Sequence, residues 1–172
     1  MPGLTILHGC RTLQLSGGMN TLIEEDDLES VGNFRWYAHK SSGRYYVRRL
    51  ESIGQGDQRL VLFHRLLVGA PAGFGVDHIN GDSLDNRRAN LRLATSGQNK
   101  QNQRRTRGTS RFKGVSWNRL GNNWHARIGV NKQKIHLGFF PTEEEAAHAY
   151  DRAALKYFGE FACTNADIHG VY

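Results

Sequence analysis

Hydrophobic and polar residues alternate at strand period through most of this chain. The pattern predicts short strands at 4–7, 11–15 and 20–23, with Gly17-Gly18 as a turn signal, followed by an acidic patch at 24–27. It resumes at 34–39 and 45–50, joined across Ser41-Ser42-Gly43, and again at 59–63 after the Gly54-Gln55-Gly56-Asp57 turn. The aromatics of this region, Phe34, Trp36, Tyr37, Tyr45 and Tyr46, are expected to pack a small sheet rather than stack on bases. A second alternating block at 113–117, 124–130 and 134–139, with Gly121-Asn122 and Asn131-Lys132 as turns, predicts three antiparallel strands. The period then lengthens to that of a helix. Thr142 is placed to cap it with Glu145 reaching back, Glu143 and Glu144 favour its positive end, and Gly159 stops it. Ala146, Ala149, Tyr150, Ala153 and Tyr157 share one face that suits close packing on a sheet.

Between the two blocks the chain changes character. His64-Arg65-Leu66-Leu67-Val68 leads through glycines and a proline to VDHINGDSLDNRRANLRLATSGQN, and the stretch from 98 to 110 is polar, basic and free of large apolar side chains. The predicted organisation is a β-rich region over 1–102 with a distinct core at 64–102, a basic linker over 103–110, and a second module over 111–172. The fold class is α+β: a β-rich scaffold carrying a strand–strand–helix motif, then a three-stranded antiparallel sheet packed on one helix.

Composition sharpens the choice of partner. The chain has 172 residues, enough for two small modules, and 23 Lys and Arg against 16 Asp and Glu give a net charge of +7. No acidic residue occurs between Asp85 and Glu143, whereas that stretch holds Arg87, Arg88, Arg92, Lys100, Arg104, Arg105, Arg107, Arg111, Lys113, Arg119, Arg127, Lys132 and Lys134. A one-sign run of this length repels itself and is relieved by phosphates, so a nucleic acid is favoured over a merely solvated face. Cys10 and Cys163 are far apart and form no CxxC pair, which argues against a structural zinc and a disulfide framework. No apolar run approaches the roughly 18 residues that span a bilayer. The N-terminus lacks a secretory pattern, so the expected location is the cytoplasm, that of a host cell if the chain is phage-encoded. A monomer is compatible with every feature.

Asp77-His78 stands out as chemistry. A nuclease must hold a divalent metal at the scissile phosphate and take a proton from water. Asp77 is a hard oxygen donor, and neighbouring His78 on the same strand points the other way, which suits two separate roles, metal ligand and general base. Asn80-Gly81-Asp82 makes a turn and 90–93 returns as a second strand, so Asn90 is expected to hydrogen-bond His78 and fix its tautomer. Thr95 or Ser96 caps a helix whose first turn carries Asn99, another oxygen donor. A calcium loop is excluded because Ile79 occupies a position that needs an oxygen ligand. His64 either lines this site or is a packed structural residue.

HRLL, VDHINGDSLDNRRANLRLAT and GQN resemble the HNH motif of phage homing-type endonucleases over about 64–102. The resemblance implies one Mg or Mn ion held by Asp77 and Asn99, His78 as general base, and Asn90 as its orienting residue. The stretch from Arg111 to Asn165 resembles the AP2 domain of plant transcription factors and phage endonucleases. That likeness implies a sheet laid in the major groove of double-stranded DNA, contacted through Lys113, Ser116, Asn118, Arg119, Trp124, Arg127, Lys132, Lys134 and His136, with Arg104, Arg105, Arg107 and Arg111 of the linker adding phosphate contacts. Plant members place arginine, glutamate, arginine and tryptophan where this chain has Ser116, Arg127, Gly129 and His136, so their base preference does not carry over. Trp117 is expected to support the sheet. The expected function is a metal-dependent DNA endonuclease with a separate DNA grip. A DNA-binding regulator with a remnant HNH fold is the rival, opposed by the full set Asp77, His78, Asn90 and Asn99. An RNA-binding module lacks a stacking signature.

Overall fold

The computed structural model describes residues 9–104 and 109–170, so the strand pattern at 4–7 and the linker arginines Arg105 and Arg107 lie outside the described residues. The chain forms two compact units, residues 1–96 and 97–172. Among the described residues no helix is long and apolar enough to cross a membrane.

The first unit holds three small antiparallel sheets. A hairpin of β1 (Cys10–Gln14) and β2 (Asn20–Glu24) leads through a short turn of 3-10 helix to α1 (Leu28–Val31). Then come β3 (Tyr37–Ser41), β4 (Arg44–Gly54) and β5 (Asp57–Leu62), paired in that order, and α2 (Phe63–Leu67). The third sheet pairs β6 (Gly75–His78) with β7 (Leu91–Ala94). Ile23, Val31, Trp36, Val47 and Phe63 are fully or almost fully buried together. Trp36 takes the packing role expected of it: its indole N–H donates to the Val31 carbonyl at 2.9 Å and its ring meets Phe63 edge-on at 4.6 Å. Its neighbours do not follow. Phe34, Tyr37 and Tyr45 are exposed: Tyr37, next to Trp36, turns outward, Tyr45 lies at the turn end of β4, and Phe34, outside the strands, lies under the Arg49 guanidinium at 4.0 Å.

The second unit begins within α3 (Ser96–Gln101) and contains β8 (Val115–Asn118), β9 (Asn123–Val130) and β10 (Gln133–Phe140) in the antiparallel order β10-β9-β8, followed by α4 (Glu143–Phe158) and α5 (Asn165–His169). Asn131 and Lys132 both take positive φ, as a two-residue hairpin turn requires. Thr142 caps α4 by accepting from the Glu145 N–H at 3.2 Å. A reciprocal capping pair forms at the next helix, between Thr164 and Asp167.

Alanines 146, 147, 149, 153 and 154 of α4 are buried, together with Tyr150. Tyr157, expected on that face, is exposed, and at the end of the helix Phe158 packs on the core in its place. Gly114 is required at its position, since a Cβ there would fall 2.0 Å from the Tyr150 ring and the backbone φ is +78°.

Candidate active site and nucleic-acid interface

His78 ends β6 and Leu91, its partner in the ladder, begins β7, so residues 79–90 form one loop closing the hairpin. Asn90 stitches that loop. Its carbonyl accepts from the Ile79 N–H at 2.9 Å and its Oδ1 from the Asn80 N–H at 2.9 Å, while Nδ2 donates to Asn80 Oδ1 at 3.0 Å and to the Asp85 carbonyl at 2.8 Å. Both amide hydrogens are therefore used on the loop, and Asn90 fixes the backbone that follows His78. It acts there because it lies one position beyond the strand ladder, level with Ile79 rather than with the ring.

The hydrogen bond to the His78 ring comes from Asn86, which the sequence did not single out. His78 Nε2 lies 3.2 Å from Asn86 Oδ1, and Asn86 is completely buried. Its orientation follows from a chain of bonds. The Thr21 hydroxyl donates to the Leu84 carbonyl at 2.6 Å, so its oxygen must accept the Asn86 Nδ2–H at 2.8 Å, which turns Oδ1 toward the imidazole. A carbonyl-type oxygen only accepts, so Nε2 carries the ring proton and the lone pair is at Nδ1. Burial pushes the His78 pKa down, against the hydrogen bond to Asn86 and the nearby Asp77, Asp82 and Asp85 carboxylates, which raise it.

Asp77 is buried and faces Arg92 across the ladder. Arg92 Nε and Nη2 both donate to Asp77 Oδ2, at 2.9 and 2.7 Å, which fixes the carboxylate in place. Arg87 and Arg88 are likewise bound to carboxylates, those of Asp85 and Asp27. Three members of the basic run thus answer acids, Arg87 a neighbour two residues away and Arg88 and Arg92 acids brought by the fold, where the sequence suggested phosphates. Among the described residues no cluster of three or more His, Cys, Asp and Glu forms a metal site. A hard carboxylate oxygen such as that of Asp77 suits magnesium or manganese, ions that commonly take only one or two protein oxygens and leave the rest to substrate and water. Asn99 lies half-buried on α3, with the second unit.

His64, on α2, is buried with its ring edge-on to His78 at a centroid distance of 5.3 Å, and Tyr46 packs near both, at 5.9 and 6.5 Å. Burial, with His78 and Arg65 adding like charge, lowers its pKa to about 3.

In the second unit the strand register sorts the expected DNA contacts by face. Ala126 and Ile128 point to the helix, so His125, Arg127 and Gly129 point away. Ser116, Lys134, His136 and Phe139 pair with positions of that outer set and join it. His125 and Phe139 were not anticipated. The two imidazoles share a hydrogen bond of 2.8 Å and both stack near Phe139 at 4.9 Å. Alternation from Arg127 would have found His125, but the irregular register between His136 and Gly138 hid Phe139.

Trp124 has the opposite parity, packs against the helix-side core and meets Trp117 edge-on at 5.0 Å. Lys113 turns inward, its ammonium donating to the Gln101 carbonyl at 2.7 Å and the Cys163 carbonyl at 3.3 Å. Asn118 bonds Asn123 across the turn, Arg104 donates to the Asp167 carbonyl, and Arg111 pairs with Glu144. Arg119 and Lys132 stay exposed at the turns.

A histidine with a fixed tautomer beside an arginine-bound aspartate on a two-stranded hairpin, and in the other unit a cationic sheet backed by a helix, are features of an HNH-type nuclease and of a DNA-binding domain. The comparisons agree. The family model for the HNH endonuclease matches residues 61–101, and that for the AP2 domain matches residues 110–160. An uncharacterised HNH endonuclease of Acanthamoeba polyphaga mimivirus is 31% identical over 149 residues, spanning 86% of this chain and 75% of its own. The chain belongs to the HNH endonuclease family.

Its second half is also similar to plant proteins. APETALA2-like protein 2 of Oryza sativa subsp. indica is 51% identical over 61 residues, and an ethylene-responsive transcription factor of Arabidopsis thaliana is 45% identical over 65. Those matches cover 34% and 37% of this chain but only 14% and 15% of the plant proteins.

Proposed function

We propose that the protein is a metal-dependent endonuclease that hydrolyses phosphodiester bonds of double-stranded DNA, cutting one strand at a time. The observation that carries this reading is the tautomer of His78. With the Nε2 proton committed to Asn86, Nδ1 is the basic nitrogen, and it takes the proton of the attacking water. The lowered pKa keeps the ring neutral, and therefore basic, at physiological pH. Asn90 holds the loop backbone so that the ring does not drift, and Arg92 orients the Asp77 carboxylate as an oxygen donor. Asp77, with Asn99 as the second donor that the family resemblance implies, would hold a magnesium or manganese ion. Such an ion supplies charge stabilisation to the phosphate and to the departing 3′ oxygen. The outer face of β8–β10, with Arg127, Lys134 and His136 beside His125 and Phe139, grips the duplex.

The test is incubation of supercoiled plasmid with the protein and magnesium. Nicked circles are expected to precede linear product, EDTA to stop both, and His78→Ala to abolish cutting while DNA binding persists. Plasmid that stays supercoiled with magnesium, or undiminished cutting by His78→Ala, would refute the reading.

A further inference from the structure

The sheet of β3, β4 and β5 has two unlike faces. Val47 points into the core, so Tyr46 and Arg48 on either side of it point away, level with His39, Tyr37 and Leu62 on the flanking strands. On the opposite parity Arg49 and Arg59 are both neutralised by Glu51. Arg48 has no such partner among the described residues, and its face carries no carboxylate. Where this open face meets α2 there is a cavity of about 410 Å³ lined by His39, Ser41, Tyr46, Arg48 and His64 with two leucines of β5. Its size is in the range that holds a small ligand or one unit of a polymer.

His64 is the unexplained member of this wall. It is 6% exposed, its Nδ1 is sealed from solvent, and that nitrogen has no hydrogen-bond partner. Natural interiors avoid orphaned N–H groups more strictly than orphaned acceptors, so Nδ1 is the bare nitrogen and the ring proton sits on Nε2. A phenylalanine would pack against His78 without this cost. The imidazole is therefore retained for a group that the free protein lacks. Such a group must accept a hydrogen bond, be anionic to suit Arg48, and lie one ring away from His78.

We propose that this cavity is a subsite for a phosphodiester group of the strand held at His78, with Arg48 supplying the charge and the His64 Nε2–H a neutral hydrogen bond. It rests on the nuclease reading above. A neutral donor suits the position: His64 grips phosphate without placing a second cation against the imidazole that must take up a proton. Tyr46, between the two histidines and the strand, fixes both rings. No bond is made or broken at this subsite; it positions the strand.

The experiment uses the full chain. Binding of a labelled duplex is measured in EDTA across a salt series for wild type, Arg48→Ala and Arg48→Lys. Arg48→Ala should lower the slope of log K against log[salt] by roughly 0.9, as expected when one phosphate is no longer neutralised, and Arg48→Lys should restore it. Cleavage with magnesium is then compared for His64→Phe and His64→Asn. His64→Phe should lose roughly 10²-fold in kcat, with a smaller change in KM and a melting temperature at pH 7 equal to or above wild type. His64→Asn, which keeps an N–H donor, should recover part of the rate.

An unchanged salt slope in Arg48→Ala, or wild-type kcat in His64→Phe, overturns the proposal. If no form of the protein cuts DNA yet the Arg48 slope change is present, the nuclease reading fails and the phosphate subsite stands. Cutting with an unchanged slope sinks the subsite alone.

Discussion

Acidification from pH 7 to pH 5 should remove about 2 kcal/mol of folding stability from the first unit through His64 alone. In the folded chain this ring stays neutral until pH about 3, while in the unfolded chain it takes a proton near the ordinary value of 6.5. The unfolded state therefore binds more protons than the folded state between those limits, and stability falls as pH falls through 6.5. Each pH unit below 6.5 costs about 1.4 kcal/mol, and the decline levels off near pH 3. His64→Phe keeps a ring against His78 and cannot titrate. Urea unfolding of both proteins at several pH values, followed by tryptophan fluorescence and by circular dichroism, reads the effect, since Trp36 is buried in the affected core. The stability of wild type relative to His64→Phe should drop by about 2 kcal/mol from pH 7 to pH 5. Parallel pH profiles for the two proteins would show that His64 titrates normally and that the reasoning about its burial is wrong.

Replacing Asn86 with leucine leaves the His78 ring proton without its acceptor inside the unit and removes the donor to the Thr21 oxygen, whose own proton still goes to the Leu84 carbonyl. The expected cost is about 1–3 kcal/mol in thermal or urea unfolding, together with at least a tenfold fall in cleavage rate because the tautomer is no longer imposed. Wild-type cleavage by that variant would remove Asn86 from the site. On the second unit, Arg127→Ala combined with Lys134→Ala should weaken duplex binding and lower the salt slope by roughly 0.9 for each phosphate left without its cation, while the rate on saturating DNA stays near wild type. An unaltered slope would mean that this face does not meet the backbone.

The periodicity of the chain was enough to place the three strands and α4 of the second unit, because β9 alternates cleanly and α4 announces itself with Thr142 and three glutamates, whereas the irregularity in β10 and the short α5 left no such signal. Asp77 and His78 drew attention for a different reason: a carboxylate and an imidazole side by side on one short strand offer a hard oxygen donor and a base suited to neutral pH. What the sequence hid were partners supplied by tertiary folding. Asn86 looks like one more polar loop residue until Thr21, 65 positions earlier, turns its amide. Arg87, Arg88 and Arg92 read as part of a phosphate-seeking run until the fold sets Asp85, Asp27 and Asp77 against them. Local alternation identifies faces but not which face a second element will cover, which is why Trp124 was expected at the DNA surface and lies against the helix.

The alanines of α4 and the bare backbone of Gly114 let helix and sheet approach until Tyr150 touches the strand that carries Ser116. A sheet pressed this closely onto its support has little freedom to flex, so under the proposed function the fit between protein and duplex falls to the duplex. Steps that bend or unstack readily then become preferred even where no side chain reaches a base. On the proposed function, part of the target preference would then lie in the mechanical compliance of the DNA, set by the absence of a methyl group on the far side of the sheet.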